Sequence, residues 1–285
     1  MRIQYVSDLH LEFYEKLAAI PRIDVVGDVL VLAGDVGYPT KPLFWKFMEE
    51  QSRRFKNIIY VPGNHEYYHT NAAIEKHRLL TIDEMDELIR SELRRRCLTN
   101  IYMLQNDVCI IDGVRFIGST LWSYIDENMK YEIVSMMNDY ARIFIGHNFL
   151  ERGSDNGAAS AALDRDDAVG LHRLTVGEVN RRFAVDSAYI AEQLQQPAGG
   201  SSKTVVVTHH LPSMEMIDAK YAGSAINSAF ASNILHTLSV KPDVWICGHS
   251  HTAAMKEIEG VVCVMNPVGY PGENNDFNTG QYIDI

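Results

Sequence analysis

Apolar residues in this chain gather into short β-branched runs separated by longer amphipathic stretches. Ile3–Val6, Asp28–Ala33 and Ile58–Val61 read as strands. Between Lys41 and Phe55, residues Leu43, Phe44, Phe47 and Met48 fall at helical spacing with charged residues opposite. Strand, link, strand, helix, strand predicts a layered α/β fold with parallel strands. Asn71–Cys97 is charged and helix-favouring. Ile101–Leu104, Val108–Ile111 and Val114–Thr120 are closely spaced strands, the last pair turning on Asp112-Gly113. That spacing predicts antiparallel hairpins, and so mixed sheets. Tyr131–Ile145, Val176–Gln195 and Ser228–Leu238 read as helices, and Thr204–Val207, Asp243–Cys247 and Val261–Met265 as strands. The stretch 147–175, rich in Gly, Ala, Ser and Asp up to Gly170, reads as a surface insertion lying over the site of a single domain spanning 1–285.

The polar residues change the picture where the strands end. The run Ile58–Val61 closes on Pro62, which cannot donate to a sheet ladder, and on Gly63, which permits a tight turn. Asn64 and His65 are thereby presented at a strand terminus. Other apolar strands end in Asp8 and His10, in Asp35, in His209, and in His249 with His251. In open α/β sheets ligands bind beyond the carboxyl ends of strands, so these loops converge on one pocket. Alternating residues such as Asp8 and His10 reach the same side. Carboxylate, imidazole and amide together suit Mn²⁺, Fe²⁺ or Zn²⁺ better than a thiolate-loving ion. Two carboxylates, four imidazoles and one amide make seven ligands, too many for one ion and enough for two.

Composition narrows the classes. The chain has 285 residues, 46% apolar, with a formal charge of −11 that repels nucleic-acid backbones and anionic membranes. Cys97, Cys109, Cys247 and Cys263 form no C-x-x-C pair, which fits reduced thiols. The N-terminus runs straight into a strand, and no apolar run approaches the ~20 residues that span a bilayer. A cytoplasmic protein without membrane partners is the expectation.

The ordered set Asp8-x-His10, Gly34-Asp35, Gly63-Asn64-His65-Glu66, His209 and Gly248-His249-x-His251 resembles the calcineurin-like metallophosphoesterase superfamily, and the match spans Asp8 to His251. The resemblance implies a four-layer α/β/β/α sandwich carrying a dinuclear metal site. It implies that Asp35 bridges two ions, that Asp8, His10 and His251 complete one site, and that Asn64, His209 and His249 complete the other. It places His65 beside the leaving group, and Asp35 and His65 as the catalytic residues. Mn²⁺ is the first expectation, with Fe, Zn, Ni or Mg as alternatives. The branch containing protein serine/threonine phosphatases follows its Gly-Asp with Asp-Arg, whereas Val36-Gly37-Tyr38 stands here. The sequence is more similar to small bacterial-type members, through Ser7–Glu12, Gly63–Tyr68, Thr208–Ser213 and Asn266–Tyr270.

The expected reaction is attack of a metal-bound hydroxide on a small phosphodiester or nucleotide. A phosphomonoesterase or protein phosphatase is the alternative, and a non-catalytic scaffold that kept the fold is the reading from another class. Substrate contacts are sought at Asn64, His65, Tyr67, Tyr221, Asn266 and Tyr270, with Tyr68, Lys220 and Asn227 nearby. Glu66 reads as a residue that orients a neighbouring loop, and His210 as a structural neighbour of His209.

Overall fold

The computed structural model describes residues 1–146, 170–197, 200, 202–274 and 276–285. Its first sheet holds β1 (Arg2–Val6), β2 (Val29–Ala33), β3 (Asn57–Val61), β4 (Ile101–Met103) and β13 (Tyr282–Asp284), in the order β13-β1-β2-β3-β4. β1 to β4 are parallel, and β13 is antiparallel to β1. The second sheet holds β5 (Asp107–Ile111), β6 (Val114–Ser119), β9 (Lys203–Thr208), β10 (Val244–Ile246), β11 (Ala254–Ile258) and β12 (Val261–Met265). Here β6, β9, β10 and β12 run parallel, with β5 and β11 antiparallel at the edges. β7 (Phe144–Gly146) and β8 (Leu171–Arg173) form a separate antiparallel pair.

Strand side chains alternate between faces, and the core follows that period. Ile3, Val29, Val31, Ile59 and Val61 of the first sheet share one apolar cluster with Phe116, Val205, Val207, Ile246 and Val264 of the second. The alternate residues Leu30, Leu32, Ile58 and Tyr60 face a cluster built with α1 (Pro42–Arg54) and α3 (Ile82–Arg95). α1 begins with Pro42, where a missing N–H costs nothing. α3 begins in a reciprocal Thr81–Glu84 capping box and buries Ile82, Met85, Ile89 and Leu93 at helical spacing. On the second sheet, Ile117, Val206, Trp245 and Cys263 point the other way, toward Ile190 and Leu194 of α6 (Val176–Gln195).

Several elements differ from the sequence reading. Asn71–Cys97 is split into α2 (Asn71–Glu75) and α3. β4 is no hairpin partner of β5; it joins the first sheet beside β3, while β5 and β6 alone turn on Asp112 and Gly113, both at positive φ. Tyr131–Ile145 is not one helix. α4 (Lys130–Met136) stops where Met137 becomes extended, α5 (Asp139–Arg142) makes one turn, and β7 follows. Ser228–Leu238 forms only two short 3-10 turns, because Leu211 bonds to both Phe230 and Ser232 and holds that segment extended between them. The expected insertion lies outside the described residues over 147–169; residues 171–173 are β8.

The parallel strands deliver their carboxyl ends to one place. Asp8 N donates to Gly34 O and His10 N to Asp35 O, lacing the loops after β1 and β2 together. Gly248 N donates to His209 O, joining two loops of the second sheet, and Val268 N donates to Ser7 O, which ties a loop of that sheet to one of the first.

Candidate metal centre

Among the described residues, three groups, buried but for the half-buried His251, could each hold an ion: Asp8 with His10 and His251; Asp35 with His209 and His249; and His10 with Asp35 and His65, in each case with ligand atoms within 4.8 Å of one another. Asp35 is common to the last two. Its Oδ2 lies 3.4 Å from His209 Nε2, 3.8 Å from His10 Nε2 and 4.0 Å from His65 Nε2. Asn64 Oδ1 is 3.1 Å from His209 Nε2. The loops that carry these groups are strained. Asp8, His10, Asp35, His249 and His251 all adopt left-handed φ between 47° and 73°, a region L-residues enter at a cost.

Close packing leaves no room for side chains between these loops. A Cβ at Gly34, where φ is 84°, would overlap the His209 ring, and one at Gly63 would overlap the Asp35 carboxylate. Glu66, fully buried, accepts backbone N–H bonds from Asp35, Val36 and Gly63, so it fastens the β2 and β3 loops together. His210 faces away from Asp35: its Nδ1 is 3.3 Å from Thr120 O, and its ring packs against Trp122 and His249. Burial, helped by His209, pushes its pKa down to about 3, so it stays neutral.

The donor atoms fit a cation. His10 Nδ1 is 3.1 Å from Glu12, and His251 Nδ1 is 2.7 Å from Glu273. Carboxylates accept, so both protons belong on Nδ1, and the two Nε2 lone pairs are left facing each other at 2.9 Å. His209 Nδ1 likewise donates to Ala33 O, turning its Nε2 toward Asn64 and Asp35. His249 Nε2 is buried with no hydrogen-bond partner among the described residues. Such convergence of unshared lone pairs is repulsive unless positive charge enters. Electrostatics agree. Burial opposes the Asp35 charge, but His209 and His65 outweigh it and hold the carboxyl well below the usual range. Burial likewise opposes charge on His209, and Asp35 outweighs it, raising the imidazole to about 10. Bound divalent ions would displace that proton.

The calcineurin-like phosphoesterase family model matches residues 1–253 of this chain. The chain belongs to the calcineurin-like phosphoesterases. A phosphoesterase of this family hydrolyses phosphate esters and takes divalent metal, and the cluster around Asp35 is where this chain could hold it. An uncharacterised protein of Acanthamoeba polyphaga mimivirus is 30% identical over 304 residues, covering 100% of this chain and 97% of that protein. The phosphopantetheinyl hydrolase of Mycobacterium tuberculosis has a similar fold, with a TM-score of 0.64 at 19% identity over 99% of this chain and 95% of that one.

Beside the cluster, a cavity of about 360 Å³ in this phosphoesterase is lined by Asn64, His65, Tyr68, Tyr221, Asn227 and Tyr270, among others. Tyr270 packs over His10 and His251, ring centroids 4.6 and 4.7 Å away. Two expected contacts are corrected. Tyr67 is buried in the core, its hydroxyl donating to Asp86. Asn266 is buried as a clamp, donating to Tyr5 O and Asn278 O. Neither lines the cavity, and neither does Lys220. Three residues went unassigned in the sequence. Glu12 Oε1 joins His10 to His65, at 3.1 and 2.7 Å. Asp139 Oδ1 accepts from Asn64 Nδ2 at 2.8 Å and from the Tyr68 hydroxyl at 2.5 Å. Glu273 holds His251. Glu12 carried a signal in its i+2 spacing from His10; the others did not.

Proposed function

We propose that this chain is a two-metal phosphoesterase that cleaves small phosphodiesters, nucleotide esters included. The observation that carries the reading is the position of Asp35 Oδ2 between the ring nitrogens of His10 and His209. Asp35, Asp8, His10 and His251 would hold one ion, and Asp35, Asn64, His209 and His249 the other, Mn²⁺ before Fe, Zn, Ni or Mg. Two divalent ions, when bound, would supply an acidified water and positive charge at the phosphoryl oxygens.

The chain's own residues do the rest. Asp35 would hold two cations close despite their repulsion. Asn64 presents its oxygen because Asp139 and Tyr68 occupy its amide nitrogen. His65 is fixed from behind by Glu12 and flat against Tyr68, with ring centroids 4.2 Å apart, which leaves its Nε2 to give a proton to the departing oxygen. Burial disfavours that proton, but Asp35 and Glu12 outweigh it and raise His65 to about 9. Cations on Asp35 would weaken that pull and bring the group nearer to neutrality, where a general acid works best.

The lean toward diesters comes from the Gly-Asp loop. Val36-Gly37-Tyr38 follows Asp35 there, so that loop offers no guanidinium to grip the extra charge of a monoester, and phosphate binding would fall largely to the ions. The unpaired thiols favour a reducing, cytoplasmic setting. The test is hydrolysis of bis(p-nitrophenyl) phosphate against p-nitrophenyl phosphate by chelator-stripped protein, with each metal restored in turn. Diester cleavage that returns with metal and is lost in Asp35→Asn supports the reading. Cleavage of the monoester alone would overturn the diester preference.

A further inference from the structure

Away from the histidines and carboxylates, the cavity runs along Met136, Met137, Ile217, Ile226 and Phe230. Phe230 stacks on His249, ring centroids 4.5 Å apart, so the apolar wall starts at the candidate ligands themselves. The other groups on this wall are neutral: Asn138, Ser224 and Asn227. Among the described residues no lysine or arginine lines the cavity, and its two carboxylates are Asp35 and Glu273. Lys220, close by in sequence, does not line it: its Nζ lies 3.9 Å from Asp218 Oδ2 and 4.9 Å from the ring centroid of Tyr221.

We infer that the substrate of this site is an ester with one phosphoryl group and an uncharged, largely apolar organic arm, and that an arm bearing a second phosphate or a carboxylate is rejected. The inference rests on the phosphoesterase reading and narrows it. The phosphoryl end has the histidine and carboxylate cluster to receive it. An anionic group on the arm would lose hydration against methionine, isoleucine and phenylalanine, find no lysine or arginine among the described residues of the wall to pair with, and face Glu273. The chain's charge of −11 adds a field of the same sign. An apolar arm meets none of these costs and releases water from the wall. The amides of Asn138 and Asn227 leave room for hydroxyl or amide groups on the arm, so polarity without charge is accepted.

The test uses metal-loaded full-length chain and two diesters with the same p-nitrophenyl leaving group, one bearing a hexyl arm and the other a 5-carboxypentyl arm. kcat/KM is expected to be at least about tenfold higher for the hexyl ester, with the difference carried by KM. Calorimetry with hexylphosphonate and 5-carboxypentylphosphonate, which contain no cleavable ester, reads binding alone and should give the same order. Ile226→Lys, which puts a cation on the wall, should shrink or invert the difference. Equal efficiency and equal binding of the two arms, with bis(p-nitrophenyl) phosphate still cleaved, would overturn the inference and leave the esterase reading standing. Binding in the expected order without cleavage of any ester would do the reverse.

Discussion

The Nε2 atoms of His10 and His251 face each other across 2.9 Å, each ring fixed from behind by a carboxylate. Two lone pairs at that distance repel, a conflict that a bound cation would resolve. Chelation should therefore lower the melting temperature. An ion at 100 times its Kd adds about 2.7 kcal/mol of stability, which for a chain of this size is a shift of several degrees. Differential scanning fluorimetry with EDTA and then with excess Mn²⁺ checks this. A melting temperature indifferent to both would speak against ions at this site.

Asp139 acts on the site through Asn64. Asp139→Ala removes the acceptor that keeps the Asn64 amide nitrogen turned away from His209, and it frees the Tyr68 ring that supports His65. Loss of such an outer partner costs about 10–100-fold in metal affinity. Calorimetric titration of stripped protein should find one ion weakened by that factor and the other little changed. Asp139→Asn keeps an accepting oxygen and should recover part of the loss, whereas a merely structural role would make the two variants alike.

His65 is assigned to proton transfer, although it lies within ligand distance of His10 and Asp35. His65→Ala should bind the full complement of metal and turn over about 10²–10⁴-fold more slowly. Metal content by mass spectrometry beside steady-state rates separates the roles. An ion missing from this variant would make His65 a ligand.

Gly34 has a φ of 84°, and a Cβ there would overlap the His209 ring. Gly34→Ala should destabilise the fold by at least about 1–2 kcal/mol from the left-handed backbone alone, and should displace His209 as well. Urea unfolding measures the first effect and metal titration the second. A variant with unchanged midpoint and unchanged affinity would show that the loop moves freely.

The sequence made much of this legible. Asp8, His10, Asp35, Asn64, His209, His249 and His251 all follow apolar runs, and a parallel strand can deliver its last residues only to one edge of its sheet. The strands β1, β2, β3, β9, β10 and β12 were plain for the same reason, being buried on both faces. β11 escaped notice because Met255, Lys256 and Glu257 are exposed at a sheet edge, and β13 because it is three residues long. Tyr131–Ile145 kept its apolar spacing through Asn138-Asp139, where the chain breaks to send the Asp139 carboxylate to Asn64, a contact 75 residues away. Ser228–Leu238 was misread because its partner, Leu211, is remote in sequence. Local pattern gives elements and their ends; it does not give who answers from across the fold.

The most direct measurement is anomalous diffraction from crystals of the chain soaked in Mn²⁺. Two peaks are expected, flanking the Asp35 carboxylate, one among Asp8, His10 and His251 and the other among Asn64, His209 and His249. A single peak, or peaks remote from Asp35, would contradict the two-metal account.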